Sequence, residues 1–272
     1  MSKFTLKIEL STFKELDQFA LLACQKYNYG NNNDWFGSFR GGLYGSYARI
    51  HGLVNHYYEV HAWMPRPRLP AETEYHLASI FFNMDSFVEC ITYAFNALGF
   101  CAMNDDFLDV TKSNELKRVS PYNVLGRAKT NPPEPPLSGY VSIFPSVQNY
   151  WKSERNLLST IFDQHDVSKH RETIFVGGMA RNDPPAGFYE SLGVGENASQ
   201  KALFWPMKEI ILKNNPKTPK IERDPQQIED RVLLEDLVPE FVKFVVQTGR
   251  HALDDANAYI HLNVNQFESG SD

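Results

Sequence analysis

The stretch ETEYHLASIFFNMDSFVECITYAFNALGFCAM, residues 72–103, decides the fold. Apolar or small side chains coat it on almost every side, the pattern of a helix buried in a core rather than one with a single wet face. A polar stripe interrupts the coat. At 100° per residue, Glu74, Asp85, Glu89, Thr92 and Asn96 fall within about 60° of one another. Ionised side chains are seldom fully buried unless paired, so Asp85 and Glu89 need a cation, a hydrogen-bonding network or a water-filled cleft opposite them. The same carboxylates exclude a membrane-spanning reading, because they cut the apolar run to CITYAFNALGFCAM, short of the roughly 20 residues a span requires.

Composition sets the class. A chain of 272 residues with 42% hydrophobic content can bury a sizeable core. Its net charge of −6 supplies no global attraction to nucleic acid or to anionic membranes, which argues against nonspecific nucleic-acid binding. MSKFTLKIELSTFKELDQF has charges scattered through it and no apolar h-region, so the expected location is cytoplasmic. Cys24, Cys90 and Cys101 are odd in number and lie among apolar neighbours, which fits buried thiols better than disulfides. No cofactor motif is present: neither GxxxxGK[ST] nor GxGxxG occurs.

Working outward, KFTLKIEL (3–10) alternates like a strand, and Thr12 with Glu15 has capping-box spacing at the start of a helix ending near Tyr29-Gly30. Asn and Gly through 28–42 predict a mobile loop, and apolar residues at 43, 47, 50, 54 and 58 an amphipathic helix to His61. Residues 127–139 read as a Pro-rich surface connection. TIFV, followed by a Gly177-Gly178 turn, ALFWPMKEIIL and PKIE suggest a small antiparallel sheet within an uncertain 177–225 segment. Asp236 is the expected N-cap of a last helix to Tyr259, and 265–272 a disordered tail. The expected architecture is mainly α, one domain over 1–272: a helical bundle around a long buried core helix, with a small accessory antiparallel β-sheet.

The second informative stretch is SVQNYWKSERNLLSTIFDQHDVSKHRE, 146–172. Leu157, Leu158, Ile161 and Phe162 form its core-facing stripe. If the helix is continuous, Arg155, Ser159, Asp166 and His170 lie within about 60° of each other. Asp85, Glu89, Asn96, Arg155, Asp166 and His170 therefore form a candidate polar core network. Its simplest reading is structural, the cations of one helix satisfying the carboxylates of the other. An enzymatic reading takes Glu89 or His170 as general base and Arg155 as stabiliser of a phosphate or other oxyanion. A metal-carboxylate site from Asp85, Glu89 and His170 is weaker, because the Glu-x-x-His signature is absent. His51, His56 and His61 form no metal set either, since steps of five turn a side chain by about 140° on a helix. His251 and Asp255 read as an exposed i,i+4 pair. The aromatic-rich 28–64 region could serve as an interaction surface for a second copy or another protein.

EYHLASIFFNMDSFVECITYAFNALGF and ERNLLSTIFDQHDVSKHR together resemble an uncharacterised group of bacterial all-α proteins, in which a long core helix is paired with a segment ending in D-x-x-KHR. Asp166-Val167-Ser168-Lys169-His170-Arg171 is the most specific part. That group is in turn similar to the HEPN helical superfamily, whose ribonucleases carry an Arg followed after four to six residues by a His. Counted from Arg155, that His belongs at Thr160, Ile161 or Phe162, and the first His is His165. The resemblance thus implies an all-α fold and carries no catalytic residue over. The expected function is a bacterial structural or protein-interaction protein of HEPN-like type, with a ribonuclease or other phosphate-handling hydrolase as the alternative.

Overall fold

The computed structural model describes residues 8–27, 34–62, 70–127, 132, 134–170, 174–180, 207–213 and 231–260. The protein is mainly helical with a small antiparallel sheet. Its long helices are α1 (Ser11–Tyr27), α2 (Asp34–His61), α3 (Pro70–Ala102), α8 (Arg155–His170) and α9 (Leu234–Tyr259). Between α3 and α8 run the shorter α4 (Ser113–Leu116), α5 (Tyr122–Leu125), α6 (Ser138–Ser142) and α7 (Pro145–Ser153). Strands β1 (Phe175–Ala180), β2 (Met207–Lys213) and β3 (Arg231–Leu233) pair in the order β1-β2-β3, with Gly178 opposite Ile210 and Leu212 opposite Val232. The buried, mostly apolar core helix read from residues 72–103 is α3. No helix among the described residues is long and apolar enough to cross a membrane.

Contacts divide the chain into two compact units. The first comprises Met1–Leu6, Arg49–Asp85 and Asn156–Phe241, and the second Lys7–Ala48, Ser86–Arg155 and Val242–Asp272. Helices α2, α3 and α9 each contribute a segment to both.

In the second unit, apolar residues at helical spacing bury one face of each element: Phe13, Leu16 and Ala20 of α1, Phe39 and Leu43 of α2, Ile91, Phe95 and Leu98 of α3, Phe244 and Val245 of α9. The Phe13 ring meets Phe87 edge-on at 6.2 Å. A Cβ on Gly42 would lie 2.6 Å from the Cys90 carbonyl oxygen and 2.7 Å from the Ala94 nitrogen, so α2 and α3 touch there backbone to backbone. Phe107 is enclosed in the same manner: added Cβ atoms on Gly99 and Gly139 would strike its ring. That ring also packs edge-on against Tyr140 and Phe144. The buried polar groups of Trp151 and Tyr140 are satisfied. Trp151 Nε1 donates to Thr248 Oγ1 at 3.0 Å, and the Tyr140 hydroxyl donates to the Thr92 carbonyl. All three cysteines belong to this unit and are free thiols, Cys24 buried and Cys90 and Cys101 half-buried. Burial raises the Cys24 thiol pKa despite nearby Arg40, and pushes that of Cys101 up to about 12.

In the first unit the buried set is Leu53, Tyr57 and Val60 of α2, Leu77, Ile80, Phe81 and Met84 of α3, Leu158 and Ile161 of α8, Ile210 and Leu212 of β2, and Leu237 and Val238 of α9. The first turn of α9 is tied to the sheet, Glu235 Oε2 accepting the Ile210 N–H at 2.9 Å.

Several local expectations change. The loop expected over 28–42 is helical from Asp34 onward, while 28–33 lie outside the described residues. Gly37, Gly41 and Gly45 recur every four residues, and Gly42 and Gly45 let α2 approach α3 closely, which outweighs their poor helix propensity. The Thr12–Glu15 capping box does not form. Thr12 is already inside α1, its hydroxyl buried without a partner, and the Lys14 N–H reaches the Leu10 carbonyl instead. The 146–172 helix breaks at Glu154 into α7 and α8. Gly177 and Gly178 sit inside β1 rather than in a turn, and Asp236 is the third residue of α9 rather than its cap. KFTLKIEL up to Lys7, PKIE and the 265–272 tail lie outside the described residues.

Candidate functional site

The polar stripe of α3 divides residue by residue. In the first unit, Glu74 Oε1 accepts the Ile174 N–H at 2.9 Å, fixing the chain that enters β1. Asp85 Oδ2 meets His165 Nδ1 of α8, both side chains only 13–16% exposed. In the second unit, Thr92 Oγ1 donates to the Val88 carbonyl at 2.7 Å. Asn96 holds the chain after α3 with both ends of its amide, donating to the Leu108 carbonyl at 2.8 Å and accepting the Leu108 N–H at 3.1 Å.

Glu89 departs from the expected network because it is exposed. The reason is angular. Tyr75, Phe82 and Glu89 are spaced by seven, so each step rotates by only about 20° and all three fall on one solvent-facing seam of α3. Tyr75 and Phe82 are correspondingly 62% and 42% exposed. Glu89 sits where the polar stripe runs into that seam.

On α8 the arrangement also differs from expectation. Arg155 opens the helix with its Nε buried and lacking a hydrogen-bond partner. Asp166 is half-buried, and the His170 side chain, with its part in the predicted grouping, lies outside the described residues. The residue that does face the α3 stripe is His165. Its signal was present in the sequence: Leu158, Ile161, Phe162 and His165 form an i, i+3, i+4, i+7 stripe, which sets His165 on the buried face.

Around the Asp85–His165 pair, the Phe82 ring lies edge-on to the imidazole at 5.8 Å. The Arg49 guanidinium lies over the Phe82 ring, 5.0 Å from its centroid, its Nε buried without a hydrogen-bond partner. Asp85 fixes the orientation of the imidazole through Nδ1 and leaves Nε2 as the ring atom able to give or take a proton. Chemically, the cluster holds an oriented acid–base group beside a cation with a spare donor.

The other histidines point to separate partners. His51 is exposed, and His56 Nδ1 lies 3.0 Å from His76 Nδ1. His61 Nε2 lies 3.3 Å from Glu235 Oε1, both largely buried. No group of three metal-ligating side chains occurs among the described residues. The expected exposed pair of His251 and Asp255 is also corrected. Asp255 is only 2% exposed, and its Oδ2 accepts the Ser146 and Val147 N–H groups at 2.9 and 3.0 Å, while His251 packs against the Tyr150 ring. Burial raises the Asp255 pKa even though those two donors and His251 oppose the shift. A surface cavity of about 790 Å³ in the second unit is lined by Lys117, Arg118, Tyr122, Arg127 and Glu134, none of them a member of the predicted network.

No family model, curated protein or solved structure matches the chain.

Proposed function

We propose that this is a structural or protein-interaction protein of HEPN-like type from a bacterial cytoplasm, engaging a second copy of itself or another protein. The observation that carries the reading is the use made of the α3 stripe. Glu74, Asp85 and Asn96 each join α3 to a distant part of its own unit, at Ile174, His165 and Leu108, so their polarity is spent on architecture. Exposed Tyr75 and Phe82 on one seam supply rigid aromatic area of the kind enriched at interfaces. Sedimentation velocity at several concentrations tests this. Association that weakens on Tyr75→Ser and Phe82→Ser supports it, and a monomer at every concentration counts against a second copy as partner.

The alternative, a ribonuclease or other phosphate-handling hydrolase, is favoured by the oriented His165 beside Arg49 with its unpartnered Nε. His165 would act as general base through Nε2 and Arg49 would offset developing charge on phosphate oxygens. Cleavage of a fluorogenic RNA or an activated phosphodiester, lost in both His165→Ala and Arg49→Ala, would favour it. Turnover that survives either substitution removes it.

A further inference from the structure

Helices α2 and α3 present one imidazole each to the other within the first unit. His56 Nδ1 and His76 Nδ1 are 3.0 Å apart, and the Tyr75 ring packs edge-on to both imidazoles, at 5.8 and 5.2 Å. Two ring nitrogens at this separation cannot both carry a proton, so one donates and the other accepts. Both rings are half-buried, and water therefore reaches them.

We propose that His56 and His76 form a two-histidine chelate for a divalent transition metal of the copper(II) or nickel(II) class. The argument is geometric. With metal–nitrogen bonds of about 2.05 Å, nitrogens 3.0 Å apart subtend about 94° at the metal, close to the 90° cis angle of a tetragonal or octahedral ion. The lone pairs come to bear on a common point by rotation about χ2, which is a soft torsion in histidine. Entry of the metal shifts the shared proton to Nε2 of the same ring through solvent, so a neutral pair remains neutral and gives up no proton overall. No third His, Cys, Asp or Glu completes the set among the described residues, and water can occupy the positions that the two imidazoles leave. Imidazole is a good donor to both ions, and copper(II) leads the affinity order.

Copper(II) titration of the full chain, followed by electron paramagnetic resonance and calorimetry, tests the site, with nickel(II) and zinc(II) alongside. The tightest copper equivalent should show two imidazole nitrogens in its hyperfine pattern. It should weaken by about tenfold or more in both His56→Ala and His76→Ala, and copper should bind more tightly than zinc. Exposed His51, on the same helix, supplies the control: His51→Ala should bind as the parent does. The proposal is overturned if the tightest equivalent in the parent protein shows fewer than two imidazole nitrogens, or if it survives either substitution at His56 or His76. The spectrum of the unsubstituted protein decides the matter even if a variant fails to fold.

Discussion

Asp255 offers the sharpest quantitative test. Helix α7 begins at Pro145, and the residue before it, Phe144, makes no side-chain cap. The cap comes instead from Asp255 of α9, whose single Oδ2 takes the N–H groups of the second and third residues of α7. Replacing it with Ala leaves the Val147 N–H buried and unmet, costing about 1–3 kcal/mol, whereas the Ser146 N–H is near enough to solvent to recruit water. Asp255→Ala should therefore destabilise the protein by about 1–3 kcal/mol, a fall of roughly 2–12 °C in Tm. Asp255→Asn keeps an acceptor and sheds the buried charge, so it should cost much less, about 1 kcal/mol or below. The pH dependence follows from the raised pKa. Between the unfolded carboxylate value and the higher folded one, the native state holds more protons than the unfolded state, so stability falls as pH rises through that window. Asp255→Asn lacks this slope. The advantage of wild type over Asp255→Asn should thus grow on acidification toward the ordinary carboxylate range. Urea melts of the three proteins at several pH values measure all of this. An Asp255→Ala protein within 0.5 kcal/mol of wild type would refute the capping argument, and a wild-type advantage that shrinks on acidification would refute the raised pKa.

Other expectations are as direct. Glu89→Ala should change stability by no more than about 0.5 kcal/mol, since the side chain is exposed; a loss of several kcal/mol in a urea melt would restore it to a buried network. A double-mutant cycle of Asp85→Ala and His165→Ala should give a coupling of about 0.5–3 kcal/mol, and additivity would mean that the pair does not form in solution. Gly42→Ala should destabilise by about 1–2 kcal/mol: overpacking against the α3 backbone costs about 1–3 and better helix propensity returns up to about 1. A more stable Gly42→Ala protein would show that the helices separate easily there.

What was legible in the sequence was what periodicity encodes. The 3.6-residue period located α3, its stripe and the buried polarity of Asp85, Thr92 and Asn96, because burial in a helix is a property of angle. Glu89 was misplaced because it stands at the edge of the stripe, where an angular argument cannot say which side the solvent takes. His165 lies on the apolar stripe of α8, outside the charged flank that the helical period groups around Arg155, Asp166 and His170. Asp255 was read from its neighbour four residues back, but its partners, Ser146 and Val147, are 109 and 108 residues away, and local spacing carries no trace of them. The start of α2 was hidden by glycines that usually mark loops and here make room for another backbone.

The placement of the cysteines gives the chain a built-in stopwatch. Every thiol lies in the second unit, and burial keeps Cys24 and Cys101 protonated, hence slow to react, at neutral pH. Modification of Cys24 and Cys101, read site by site by mass spectrometry so that half-buried Cys90 is kept apart, therefore times the opening of that unit alone, while far-UV circular dichroism follows the helices of both. Labelling rates whose urea dependence matches the helical melt mean that the whole chain comes apart in one step. Labelling that runs ahead of the melt means that the stretch holding Asp85 and His165 outlasts its neighbour, and with it the chemistry gathered there.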